Sequence, residues 1–136
     1  MATFDLELVS PERLILSRPV EMAVIPAVEG EMGVLPGHAP MIVALRGGVI
    51  RVTEGGRETE RLFIMGGFAE ITPTRMTVLA DEATPVATLS RAAATQRVAE
   101  AETALAAAAN DAPEVREKAS DRLMAARAMQ EAAQAA

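Results

Sequence analysis

The stretch VIRVTEGGRETERLFIM, Val49 to Met65, decides how the first part of this chain is read. Ile50 and Val52 alternate with Arg51 and Thr53, and the segment Glu60 to Met65 continues the same beat. Alternation at period two is the mark of a strand with one face buried and one in water. Between the two runs lie Gly55 and Gly56, which accept the positive φ that a primed two-residue turn demands. The stretch is therefore a β-hairpin. Its acids and bases, Glu54 to Arg61, alternate in sign as a solvated strand face does, and they are not read as paired catalytic carboxylates.

The same grammar extends outward from this hairpin. Phe4, Leu6 and Leu8 alternate with Asp5 and Glu7; Val20, Met22 and Val24 are expected on one face; Arg75 to Ala80 alternates again. About eight to ten short strands in about 85 residues predict an antiparallel β-sandwich rather than an open sheet. Composition then changes at Pro85. All nine glycines lie before it, and the stretch beyond it is rich in alanine. Residues 1–85 are expected to form the sandwich and residues 86–136 a separate helical unit.

That second unit has a period of three to four. Ala94, Val98, Ala101 and Leu105 fall on one stripe, and Val115, Ala119, Ala126 and Met129 on another. The segment NDAPE between them supplies a stop and a restart, with Asn110 near a helix end, Asp111 as the expected N-cap, Pro113 in the first turn and Glu114 completing a capping box. Two helices joined by so short a loop run antiparallel, so the fold class is α+β, a sandwich followed by a two-helix hairpin. A seam made mainly of alanine buries little apolar area at roughly 25 cal/mol per Å². Such a hairpin is expected to be detachable from whatever it rests on.

Composition removes several functions. Among 136 residues the net charge is −6, which opposes nucleic-acid binding because phosphates call for a surplus of Lys and Arg. No cysteine is present, so thiolate zinc sites and cysteine nucleophiles are excluded. No apolar run approaches the ~20 residues of a membrane span, and the N-terminus lacks the pattern of a secretory signal. The expectation is a soluble intracellular protein, or a peripheral one held by partners. Trp and Tyr are absent, which removes the ring platforms on which sugar-binding sandwiches rely.

One further stretch calls for explanation: GEMGVLPGHAP, Gly30 to Pro40, which holds the only histidine. His38 has no second histidine or cysteine with which to share a metal. The glycines do not match a phosphate loop, since no Gly-Lys-Ser/Thr follows and the next segment is strand-like. Turn geometry is the favoured reading, and no catalytic or metal-binding constellation is expected anywhere in the chain.

These residues carry a resemblance. EGEMGVLPGHAP, followed by LRGGVIRV, MGGFAEI and MTVLADEA in this order and with an Ala-rich helical tail, resembles the ε subunit of bacterial F-type ATP synthases, to which the chloroplast ε and mitochondrial δ subunits are similar. The resemblance covers the whole chain. It implies a non-catalytic central-stalk subunit of the rotor, peripheral on the cytoplasmic face of the inner membrane, which couples rotation to ATP synthesis. The sandwich would bind the γ subunit and the ring of membrane c subunits. The hairpin would lie folded or extend toward the α/β catalytic head. The loop carrying Glu29, Glu31 and His38 would face the c ring.

Some members of the family bind ATP on the folded hairpin through a motif resembling Ile/Leu-Asp-x-x-Arg-Ala. Here the matching stretch is ATLSRA, in which Arg91 and Ala92 agree and Thr88 stands at the acid. Arg91 is thus the one ATP-site residue carried over, and no cofactor is expected. A nucleotide-sensing regulator acting through the hairpin is the alternative function, and Thr88 counts against it. In inhibiting relatives the extended hairpin presents basic residues to the head. Arg116, Arg122 and Arg127 are the matching contacts, but Glu114, Glu117, Asp121 and Glu131 balance them, so inhibition of ATP hydrolysis is expected to be weak or absent.

Overall fold

A computed structural model of the chain describes residues 2–135. Ten strands come first: β1 (Phe4–Val9), β2 (Leu14–Val20), β3 (Met22–Ala27), β4 (Gly30–Val34), β5 (Met41–Leu45), β6 (Gly48–Glu54), β7 (Arg57–Ile64), β8 (Gly67–Ile71), β9 (Arg75–Ala80) and β10 (Ala83–Pro85). A short 3₁₀ turn at Val86–Thr88 leads into α1 (Arg91–Ala107) and α2 (Pro113–Ala135). The β6–β7 hairpin forms as its sequence demands, with Gly55 at φ 61° and Gly56 at φ 78°.

The strands form one hydrogen-bonded path, β10-β7-β6-β3-β5-β8-β9-β1-β2, with β4 paired to β3. It curls until its two ends approach, giving a sandwich close to a barrel. Arg18 of β2 reaches across the gap to Glu54 of β6 and Glu60 of β7 at 2.8 and 3.1 Å. All strand pairs are antiparallel except β1 and β9, which run parallel. No turn joins those two strands, so nothing in the local chain fixes their direction.

Leu6, Leu8, Ile25, Ile50, Ile71, Met76 and Val78 lie in the interior of the sandwich, each at most 1% exposed. The expected face of Val20, Met22 and Val24 needs correction. The chain breaks at Glu21 between β2 and β3, and it is Ala23, Ile25 and Ala27 that point into the core. Met22 and Val24 lie half-buried on the other side, because a strand that changes sheet partner at Glu21 does not carry its parity through the break.

β7 departs from simple alternation. Leu62, Phe63 and Ile64 are all buried: Leu62 and Ile64 face the sandwich interior, while Phe63 points outward. Phe63 is covered by the helical hairpin, in a cluster with Val86, Ala94, Met129, Ala132 and Ala133. The helices meet each other through Val98, Ala101, Leu123 and Ala126, with Leu105 alongside. The seam is thus less purely alanine than the sequence stripes imply, since Leu123 lies in it.

Two details of the hairpin are also corrected. The N-cap position of α2 falls on Ala112, whose carbonyl accepts the Arg116 amide at 3.1 Å, so Asp111 stands one residue too early to cap. Val115 is 48% exposed, because the helices separate toward the inter-helix turn and leave its side chain uncovered. The cap of α1 is Ser90, whose hydroxyl accepts the Ala93 amide at 3.1 Å.

Candidate functional site

Glu29, Glu31 and His38 were expected on one loop, and the structure separates them. Gly30–Val34 is a strand, paired to β3 along its length. Glu29 lies in the turn before it and His38 in the turn after it. Five residues of strand at about 3.3 Å each place those turns roughly 16 Å apart, at opposite ends of the sandwich. The alternation of Met32 and Val34 is too short to be told from turn residues among so many glycines.

Each residue has a distinct setting. Glu29 is exposed in the β3–β4 turn, next to Val28, which lines a groove shared with α2. Glu31 is exposed and pairs with Arg51 at 3.4 Å. His38 donates from Nδ1 to the Ala39 carbonyl at 2.7 Å, and the Gly37 amide bonds the Pro73 carbonyl at 2.8 Å. His38 is therefore held by its own turn and by the β8–β9 turn. Among the described residues, no group of three or more His, Asp or Glu side chains is placed to hold a metal.

The hairpin candidates also divide. Arg91, the first residue of α1, donates to the carbonyls of Ala133 and Gln134, both at 3.3 Å. It closes the end of α2, whose last carbonyls have no partner within the helix. Arg127 pairs with Glu102 across the hairpin at 3.7 Å. Arg116 and Arg122 are exposed and carry no ion pair among the described residues.

The surface the sequence reading missed lies on the outside of β5, β8 and β9. Ile42 is 73% exposed, Phe68 58% and Leu79 55%. The register places Phe68 opposite both Ala44 and Leu79, with Ile42 on the diagonal. These are neighbours on one face, not scattered apolar residues. A signal for them existed: Met41, Ile42, Val43 and Ala44 run apolar without alternation, which a strand does when both of its faces are to be covered. The sandwich thus has two apolar outer regions. The hairpin covers the one at Phe63 and leaves the one at Phe68 bare. A contiguous bare apolar region of this kind is a candidate docking surface.

Comparison with known proteins agrees with this architecture. The family described as ATP synthase, delta/epsilon chain, β-sandwich domain matches residues 3–86. An ATP synthase epsilon chain of Granulibacter bethesdensis is 56% identical over 133 residues, 98% of each chain. One from Rhodospirillum rubrum is 48% identical over 110 residues, 81% of this chain and 82% of its own. Among solved structures, a chain in the Euglena gracilis mitochondrial ATP synthase, imaged with its c-ring, superposes with a TM-score of 0.78 at 27% identity, over 97% of this chain and 82% of its own. On the family match and on identity across nearly its whole length, this chain belongs to the delta/epsilon chain family of ATP synthases.

Proposed function

We propose that this chain is the rotor subunit that ties the γ subunit to the membrane c ring, and that the Ile42–Phe68–Leu79 face is its seat on γ. The observation that carries this reading is the bare apolar face itself, on a sandwich whose other apolar outer region is already covered by its own hairpin. The role is mechanical: to transmit torque through a broad, non-covalent interface. None of the described helices is long and apolar enough to cross a membrane. The chain then reaches the cytoplasmic face of the inner membrane through its partners.

Glu29 and Glu31 lie toward one end of the sandwich and His38 at the other, so a ring contacted by one end alone meets only one of the two groups. Val28, next to Glu29, lines the groove shared with α2, whereas no residue of the turns around His38 and Pro73 does. The clear end is the better seat on the ring.

A tagged full-length chain, recovered from solubilised membranes, tests the assignment. Co-purification of α, β, γ and c subunits supports it, and recovery of the chain alone from membranes with intact synthase refutes it. For the hairpin, the balance of Arg116, Lys118 and Arg122 against Glu114, Glu117 and Asp121 supports weak inhibition or none. ATPase rates of the head complex with the full chain and with a chain ending near Pro85 decide this. Several-fold stimulation on truncation refutes it.

A further inference from the structure

The bare face does not end at the sandwich. Phe68 also lines a groove of about 770 Å³ between the sandwich and α2, and Met124 of α2 stands on the groove's far wall. Met124 is 60% exposed, on the side of α2 turned away from both the Phe63 cluster and the inter-helix seam. Val28, 60% exposed at the β3–β4 turn, lines the same groove. An apolar path therefore runs from Ile42 over Phe68 and across the groove to Met124, crossing from one domain to the other.

The charges around this path share a sign. Glu70 is exposed on the outer face beside Ile42, its partner in the β5–β8 register. Asp81, Glu117 and Asp121 line the groove, and none of these four acids makes an ion pair among the described residues. Of the two bases in the groove, Arg46 turns its Nε to the Ala27 carbonyl at 3.2 Å, leaving Lys118 as the one base not committed to the protein's own backbone.

We infer that the docked hairpin completes the stalk-binding surface: an apolar segment of the γ subunit, flanked by Lys or Arg, lies on Ile42 and Phe68 and reaches across the groove to Met124. Charge complementarity selects this occupant. A second copy of this chain, or an anionic membrane surface, would set negative groups against Glu70, Asp81, Glu117 and Asp121. The inference rests on the assignment of the Phe68 face to γ and adds that the hairpin takes part while folded. Its consequence is linkage. A partner that touches Met124 only when α2 is docked stabilises the docked hairpin, and undocking weakens the grip of the stalk by the same factor.

The test uses head complexes of α, β and γ depleted of this chain, titrated with full-length variants. Phe68→Ser probes the sandwich face; Met124→Gln and Asp121→Lys probe the hairpin side. Because Met124 and Asp121 are exposed, hydrogen exchange in α2 of the free chain should match wild type in both variants, which separates lost contact from lost docking. The expected result is about 5- to 10-fold weaker binding for Met124→Gln and for Asp121→Lys, and a larger loss for Phe68→Ser. Wild-type affinity in both hairpin variants with a loss in Phe68→Ser would overturn the inference and leave the assignment of the face standing. Wild-type affinity in all three variants would overturn both.

Discussion

Gly47 and Ala125 meet backbone to backbone: a Cβ built on Gly47 would lie 2.7 Å from both Cα and Cβ of Ala125. This contact, between the β5–β6 turn and the middle of α2, fixes how closely the helical hairpin approaches the sandwich. Gly47 is needed for space, not for an unusual φ. Replacing it with alanine puts a methyl group where α2 must be, and the atom it meets is backbone that cannot rotate aside. Overpacking of this kind costs about 1–3 kcal/mol. Gly47→Ala should therefore loosen the hairpin and spare the sandwich. Amide exchange in α2 should rise about 5- to 150-fold, the factor corresponding to that energy, while β1 and β9 keep their protection. Equal protection of α2 in both proteins would show that the contact does not control docking.

Phe63 acts from the other side of the same interface. It is 1% exposed, and it is the largest side chain in the cluster beneath α2. Truncating a buried phenylalanine costs about 3–5 kcal/mol. Because Met129, Ala132 and Ala133 rest on it, Phe63→Ala should lower the thermal midpoint of the whole chain and also release the hairpin. A second reporter separates the effects. Protease cleavage at the Pro85–Ser90 junction should accelerate more than global unfolding does. A drop in midpoint with no change in junction cleavage would place Phe63 in the sandwich alone.

Much of this architecture was legible in the residues. The Gly55–Gly56 hairpin, the change of grammar at Pro85 and the antiparallel helices each follow from a local rule: turn φ, composition, loop length. What was not legible depended on which outer face gets covered. Phe63 lies in the unbroken apolar run Leu62–Met65 and Phe68 beside the apolar run of β5, so both outer faces carry a signal for cover, yet one is buried by the hairpin and the other is bare. Which of the two the hairpin covers is decided by the docking of α2, a long-range contact that neither run encodes. The loop expected at Glu29–His38 failed for a related reason. Gly30 and Gly33 mark turns by residue type, but pairing with β3 drew the segment into a strand. Ser90 is a residue type that caps helices and stands directly before Arg91, so the start of α1 was legible from it.

The ion cluster that bridges the ends of the sheet should give stability a defined pH dependence. The Arg18 guanidinium holds the Glu54 carboxyl below its ordinary value, helped by the Thr59 hydroxyl, and Glu54 in turn raises Arg18. A carboxylate whose folded value is depressed stabilises the fold above its unfolded pKa, and that contribution fades as pH falls through the folded value. Arg18 stays protonated throughout this range. The side chains are 36% and 27% exposed, so solvent screening keeps the contribution to about 1 kcal/mol or less. Wild type should therefore be more stable than Glu54→Gln near pH 7. The two melting curves should converge as the pH drops below the usual carboxylate range. A gap that stays constant down to pH 3 would assign the effect to packing instead.

Arg91 gives the last prediction, because two roles compete for one side chain. As an ATP-site residue it would hold its guanidinium free for phosphate. In the folded hairpin it instead donates to the Ala133 and Gln134 carbonyls and closes the end of α2. The position of the acid in the family's nucleotide motif is held here by Thr88, whose hydroxyl donates to the Pro85 carbonyl at 2.9 Å. Binding phosphate would cost the contacts that hold α2 against α1, with no acid to complete the site. Calorimetric titration of the full-length chain with magnesium-ATP should therefore show no saturable heat at millimolar nucleotide. Arg91→Ala should increase hydrogen exchange in the last turn of α2 and change nothing in that titration. A saturable isotherm abolished by Arg91→Ala would reverse the assignment, making the arginine a nucleotide ligand that the docked hairpin holds in reserve.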